Sequence, residues 1–205
     1  MNRFLRQKRF RQKQAGFSLL EVLVAMLIGS VLFIAMAKTY PVLSVQILDL
    51  YHQYRLHYLV NRVAHMMEKD LRRAGYCLDN KQCRGEPLVI QNKNEEPAHS
   101  CFIVAFDLNL NNRWEEPEHI TPEFFGYRLN NQALEWKRGA GNCQESGWER
   151  LFDPNEVMIK AFHLEKSPLK NGQVFIALSI KAGWVKSSSV VHHYQTTIRL
   201  RNIRK

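Results

Sequence analysis

Glu21 is the residue of this chain with the clearest chemical demand. It lies in GFSLLEVLVAMLIGSVLFIAMA, and between Phe17 and Ala37 it is the only ionisable side chain. A carboxylate inside a bilayer costs at least ~2.5 kcal/mol on insertion scales, and intramembrane charges usually mark function. Its place near the start of an apolar helix eases that cost through the helix dipole. A cation from a neighbouring molecule would offset more of it. The plainer readings are that Glu21 snorkels to the headgroups or takes up a proton.

Other residues carry weaker chemistry. The four cysteines, Cys77, Cys83, Cys101 and Cys143, show no C-x-x-C spacing, which speaks against a zinc or redox site. All lie after the apolar run, and on an exported side an even number suggests two disulfides. Four cysteines allow three pairings. The pairing expected is Cys77–Cys83, which closes a short loop, with Cys101–Cys143. In DLNLNNRWEEPE, Asp107, Asn109 and Asn111 are spaced as in a calcium loop and Glu118 falls at the twelfth position. Asn112 stands where glycine is expected and Pro117 interrupts the end, so a polar strand connection is the plainer reading. His52, His57 and His65 are never three or four apart, and His192–His193 point to opposite faces of a strand. Neither a metal nor another cofactor is expected. No nucleophile elbow, phosphate loop or zincin helix occurs, and Ser187–Ser189 reads as a polar turn.

These residues need elements to hold them. Phe17–Ala37 is about 21 residues, which at roughly 1.5 Å per residue spans a bilayer core of about 30 Å. The preceding Arg3, Arg6, Lys8, Arg9, Arg11 and Lys13 would keep the N-terminus cytoplasmic. They supply six of the ten net positive charges, leaving +4 without them. The charge is therefore concentrated in a terminal leader, and nucleic acid is not expected as a partner. A secretory signal is the competing reading, but the small residues Ala15 and Gly16 precede the apolar run instead of following it.

Pro41 is expected to kink or break the helix. Beyond it, Val45, Leu48, Tyr51, Leu56, Leu59, Val63, Met66, Met67 and Leu71 resume a helical period that ends at Gly75, with Arg72 and Arg73 in the last turn. Strands are expected at Pro87–Gln91, Cys101–Leu108, Phe124–Leu129, Ala133–Arg138, Val157–Glu165, Gln173–Trp184 and Val190–Ile203. Turns are expected at Asn130–Asn131 and Asn171–Gly172, and a loop at Asn92–Ser100. The fold class is α+β, a long N-terminal helix packed on a mostly antiparallel sheet.

Gly16, Phe17 and Glu21 in GFSLLE, behind a basic leader and ahead of a spanning apolar run, resemble the class III signal of type IV prepilins and type II secretion pseudopilins. KDLRRAGYC (Lys69–Cys77) and TTIRLRN (Thr196–Asn202) are similar to the helix end and final strand of W-type minor pilins and J-type minor pseudopilins. The resemblance implies a pilin-like fold. Residues 1–16 would be a cleaved leader, 17–40 a transmembrane half-helix, 41–75 an amphipathic periplasmic half-helix and 76–205 a periplasmic β-rich domain. It further implies cleavage by prepilin peptidase after Gly16, N-methylation of Phe17, and pairing of Glu21 with the Phe17 amine of a neighbouring subunit. The protein would be a substrate and not an enzyme. It would sit in the inner membrane and start or tip a pilus-like filament. Its partners would be other minor pilins or pseudopilins, the major pilin and the inner membrane assembly platform. A J-like pseudopilin of a type II secretion system is the alternative, and a filament-tip module for a ligand or DNA is another. Pro41 lies a few residues later than the usual pilin helix proline, so the family's kink position is not carried over.

Overall fold

The computed structural model describes residues 16–79, 83–170 and 173–203. The basic leader residues and the Asn171–Gly172 turn lie outside them. The chain forms two compact units, one ending at Ile47 and one starting at Leu48.

One helix, α1, runs from Leu19 to Arg73. Ser18 precedes it, and the amides of Glu21 and Val22 donate to the Ser18 carbonyl. Pro41 neither ends nor interrupts the helix, contrary to the expected break. A proline removes one backbone donor, and serine and threonine hydroxyls can take up carbonyls near such a gap. Here Thr39 Oγ1 donates to the Ala35 and Met36 carbonyls, and Ser44 Oγ to that of Tyr40. Every residue from 16 to 43 is exposed.

In the second unit the helix buries Leu56, Val60, Val63, Ala64, Met67, Asp70 and Leu71. Their three- and four-residue steps place them on one face. The stripe is shorter than the periodicity implied, because Val45, Leu48 and Tyr51 are exposed. At the C-terminal end Gly75 adopts φ +79°, the left-handed turn that stops a helix. A Cβ there would meet Ile203 Cγ1 at 3.2 Å and Pro87 Cβ at 3.3 Å. Asn202 Nδ2 donates to the carbonyls of Arg73 at 3.2 Å and Ala74 at 3.4 Å, so the chain's last segment caps the helix end.

The strands divide into two antiparallel sheets. The first is a meander of β1 (Leu88–Gln91), β2 (Cys101–Ala105), β3 (Phe124–Asn130), β4 (Ala133–Arg138) and a two-residue β5 (Glu149–Arg150) that the sequence pattern does not mark. The second comprises β6 (Val157–Lys170), β7 (Gln173–Trp184) and β8 (Ser187–Leu200). The β3–β4 turn residues are Asn131 and Gln132, at φ 47° and 61°. Two successive left-handed residues are what a tight type I′ hairpin needs. Asn130 instead pairs with Ala133, one position from the expected turn. Ser187–Ser189 opens β8 instead of forming a turn, because Ser187 pairs with Trp184 across a two-residue connection. Strand β6 is tied to the first sheet where Leu164 N donates to the His99 carbonyl and Ile159 N to that of Gln132.

The main core unites the α1 stripe with Phe102, Val104, Phe125, Tyr127 and Leu134 of the first sheet and Phe162, Leu164, Ile176, Leu178 and Ile198 of the second. Strand β2 is buried along its whole length, because its other face packs a smaller cluster of Cys101, Ile103, Ala140 and Cys143 with Phe124 and Trp148. Alternating β2 residues thus face two separate apolar layers. Tyr127 Oη donates to Asp70 Oδ2 at 2.6 Å, joining the helix end to β3 inside the core. Burial pushes the Asp70 carboxyl above its ordinary range, against the opposing pull of that hydrogen bond.

Candidate functional site

The N-terminal site is built by position. With Leu19 as the first helical residue, Ser18 is the N-cap and Glu21 the third residue of the first turn. This is the S-x-x-E spacing of a capping box, and it places a carboxylate at the positive end of the helix dipole. The signal for Ser18 is that local spacing, which becomes a cap only once the helix start is fixed. Phe17 is 82% exposed, and the apolar side chains after it remain uncovered through Leu50 and Tyr51. This α1 segment is long and apolar enough to cross a membrane. An uncovered apolar surface of this size marks contact with lipid or other protein. Among the described residues, a Cβ added at Gly16 would meet nothing within 4 Å.

The disulfides staple the body. Cys77 is bonded to Cys83 just past the helix end, and Cys101 to Cys143, with sequence separations of 6 and 42. The second anchors residues 139–148 over the outer face of β2. On the chain-entropy model the loops are worth about 2 and about 4 kcal/mol. Urea unfolding of the full chain in detergent is therefore expected to show a clearly larger loss for the double variant Cys101→Ser/Cys143→Ser than for Cys77→Ser/Cys83→Ser. Equal losses would mean that loop length does not set the effect.

Arg128 reinforces the same face. It is 5% exposed and sits opposite Glu135 in the β3–β4 register. Its Nε donates to Glu135 Oε2 at 2.8 Å, and its Nη1 to the carbonyls of Cys143 and Glu145, both at 2.8 Å. The guanidinium lies 4.4 Å from the centre of the Trp148 ring. Glu135 also accepts from Asn130 Nδ2 at 2.9 Å.

The calcium-like stretch folds into a tight loop. Asp107, 2% exposed, accepts from the amides of Asn111 and Asn112 at 3.2 and 2.9 Å. Asn109 Oδ1 accepts from Asn111 N, and Asn111 Oδ1 from Arg113 N. Asn112 has φ 68°, so asparagine adopts the left-handed conformation for which glycine was expected. Glu118 is exposed. Besides Asp107, the carboxylates at the loop are Glu115 and Glu123, neither of which the linear spacing points to. Glu123 precedes β3 and reaches the loop only through the fold. Its Oε1 accepts from the amides of Leu108 and Asn109 at 2.7 and 3.1 Å. Burial pushes the Glu123 carboxyl up to about 7, and the facing Glu115 carboxylate adds to the rise.

The histidines are dispersed except for two ring pairs, His57–His192 and His99–His163, the latter 5.4 Å apart. His57 on α1 and His192 on β8 stack edge to face at 4.5 Å, and both approach Asn61. Desolvation, followed by the charges of His57 and His193, lowers the His192 pKa. Among the described residues Cys77, Cys83 and Asp107 bring three donor atoms within 4.8 Å. Both sulfurs are committed to the disulfide and are not thiolate ligands. A cleft of about 200 Å³ between the β3–β4 turn and residues 150–158 has Arg150 as its one titratable lining side chain.

A helix with a bare apolar N-terminal half, continued into a disulfide-bonded antiparallel body, defines a type IV pilin-like protein anchored by a single helix. The family model of the prokaryotic N-terminal methylation motif matches residues 11–37. The family model of prepilin peptidase-dependent protein B matches residues 49–200. A relative from Escherichia coli (strain K12), prepilin peptidase-dependent protein B, is 32% identical over 170 residues, covering 83% of this chain and 87% of that protein. The chain belongs to the prepilin peptidase-dependent protein B family, a group of minor-pilin-like proteins. No solved structure matches it significantly.

Proposed function

We propose that this protein is a minor pilin that starts or tips a type IV pilus-like filament. The observation that carries the reading is the uncovered, mostly apolar run 16–43, uncharged but for Glu21 near its start and Lys38 near its end. Prepilin peptidase cuts after Gly16, on the cytoplasmic side, and methylates the new Phe17 amine. Residues 17–40 hold the protein in the inner membrane, 41–75 continue the helix outward, and 76–205 form the periplasmic body. In the filament the apolar helices of neighbouring subunits, other minor pilins and the major pilin, cover one another. Each Glu21 pairs with the Phe17 amine of the next subunit, which fixes axial register much as a polar core residue does in a coiled coil. The assembly platform in the inner membrane supplies the lifting step. In this reading the chain does no covalent chemistry of its own.

The leader test is direct. Co-expression with prepilin peptidase should yield a shortened chain whose N-terminal sequence starts at Phe17. Gly16→Leu should remain full length, because a bulky side chain replaces the glycine ahead of the scissile bond. Normal shortening of Gly16→Leu would overturn the processing assignment and the filament reading built on it.

A further inference from the structure

We propose that the Asp107–Glu123 loop binds a calcium ion between Glu115 and Glu123, with Asn109 and Asn111 as further oxygen ligands and Asp107 as the residue that fixes the loop. The ligand set differs from the one that spacing alone suggests, since Glu123 takes the place of Glu118.

Glu123 is the residue that calls for an ion. It is 1% exposed, yet its Oε2 accepts no hydrogen bond. A buried carboxylate oxygen without a donor is costly, because it has lost water and gained nothing. The side chain Glu123 meets is the Glu115 carboxylate, and the two can share a hydrogen bond only while Glu123 keeps its proton. Two adjoining carboxylates do not satisfy each other when both are ionised. A divalent cation between them answers the unfilled oxygen and the repulsion together.

The surroundings suit a hard cation that takes six to eight oxygens. Asn109 Nδ2 lies 3.3 Å from Glu115 Oε2, and Asn111 Nδ2 contacts Glu115 Oε1, so both amides already sit against the carboxylate. Each amide oxygen already accepts one backbone amide, Asn109 Oδ1 from Asn111 N and Asn111 Oδ1 from Arg113 N, and its second lone pair is what it has to offer an ion. Asp107 spends both oxygens on the amides of Asn111 and Asn112, and its role is to hold the loop closed. Leu110 and Asn112 are left-handed, at φ 65° and 68°, which folds the odd-numbered side chains back toward one another. Trp114 Nε1 donates to the Tyr76 carbonyl, and Asn112 Oδ1 accepts from Asp79 N, so the loop is also fastened to the segment carrying the Cys77–Cys83 bond. A bound ion would thereby stiffen the region just past the end of α1.

The test uses the full chain in detergent, freed of divalent ions by a chelator. Calcium chloride is titrated calorimetrically, with magnesium chloride in parallel and thermal unfolding recorded for each. One calcium site is expected, with Kd in the range of about 10⁻⁴–10⁻³ M typical of extracellular modules, a rise in melting temperature, and weaker binding of magnesium. Glu123→Gln should weaken calcium at least about tenfold, no less than the loss of an outer partner costs elsewhere. Glu118→Gln should leave it within about twofold. If Glu123→Gln does not fold, the half-buried Glu115→Gln carries the same expectation. Absence of heat and of any thermal shift up to about 10 mM calcium, ten times the weak end of that range, would overturn the proposal. So would an unchanged affinity in both Glu115→Gln and Glu123→Gln, or calcium binding abolished by Glu118→Gln alone.

Discussion

Glu21→Ala is expected to enter the membrane and lose its leader as the wild type does, and then to be absent from filaments. Insertion should be no worse, because a side chain costing at least ~2.5 kcal/mol in the bilayer is gone. Folding of the body should not change, because the second compact unit begins at Leu48 and its core at Leu56. The spacing raises one rival role: with Ser18 before the helix, Glu21 stands at the N3 position that a capping box would use. Glu21→Gln separates the two roles. Glutamine serves a capping box as glutamate does, but it carries no charge to pair with a neighbour's amine. Crosslinking into filaments, at matched amounts of processed protein, should therefore fail for both variants. Wild-type incorporation of Glu21→Gln with loss in Glu21→Ala would assign Glu21 to capping. Wild-type incorporation of both would leave it snorkelling at the membrane surface.

The largest loss of stability is expected at Arg128. Arg128→Met removes the charge opposite Glu135, whose side chain is 8% exposed, and takes donors from the Cys143 and Glu145 carbonyls. Removing one member of a buried ion pair typically costs about 3–5 kcal/mol, because the other charge stays behind unpaired. The double variant Arg128→Met/Glu135→Leu removes the stranded charge as well and should recover part of the loss. It will still lack the two hydrogen bonds to the 143–145 carbonyls, which are worth about 1.5–3 kcal/mol each when the donor is charged. Urea unfolding of the full chain in detergent measures all three proteins. A loss below about 1 kcal/mol for Arg128→Met would place the pair among weak surface bridges, and a double variant less stable than the single one would contradict the stranded-charge account.

What the sequence by itself determined is what depends on neighbours along the chain. The N-terminal program is of this kind: basic leader, Gly16, Phe17, Glu21 and the apolar run act through order and spacing in one segment, and their resemblance led to the family. The α1 period, the Gly75 stop and most strands were legible for the same reason, since each reports on side chains one turn or one pleat apart. Even there, local rules lost to context. Pro41 did not interrupt the helix, and the tight turn fell on Asn131–Gln132 because cross-strand register, not turn propensity alone, sets its position.

Only the tertiary structure decided how distant segments combine. Nothing local divides the strands into sheets of five and three, because that depends on which β edges meet. Arg128 and Glu135 look like surface charges in sequence and become buried when the Cys143 segment covers β3 and β4. His57 meets His192, and Asn202 caps a helix that ended about 130 residues earlier, through contacts no periodicity encodes. Glu123 joins Asp107, Asn109 and Asn111 for the same reason: a linear spacing rule counts forward to Glu118, whereas the fold carries the chain back and buries a carboxylate from the entrance of β3 against the loop.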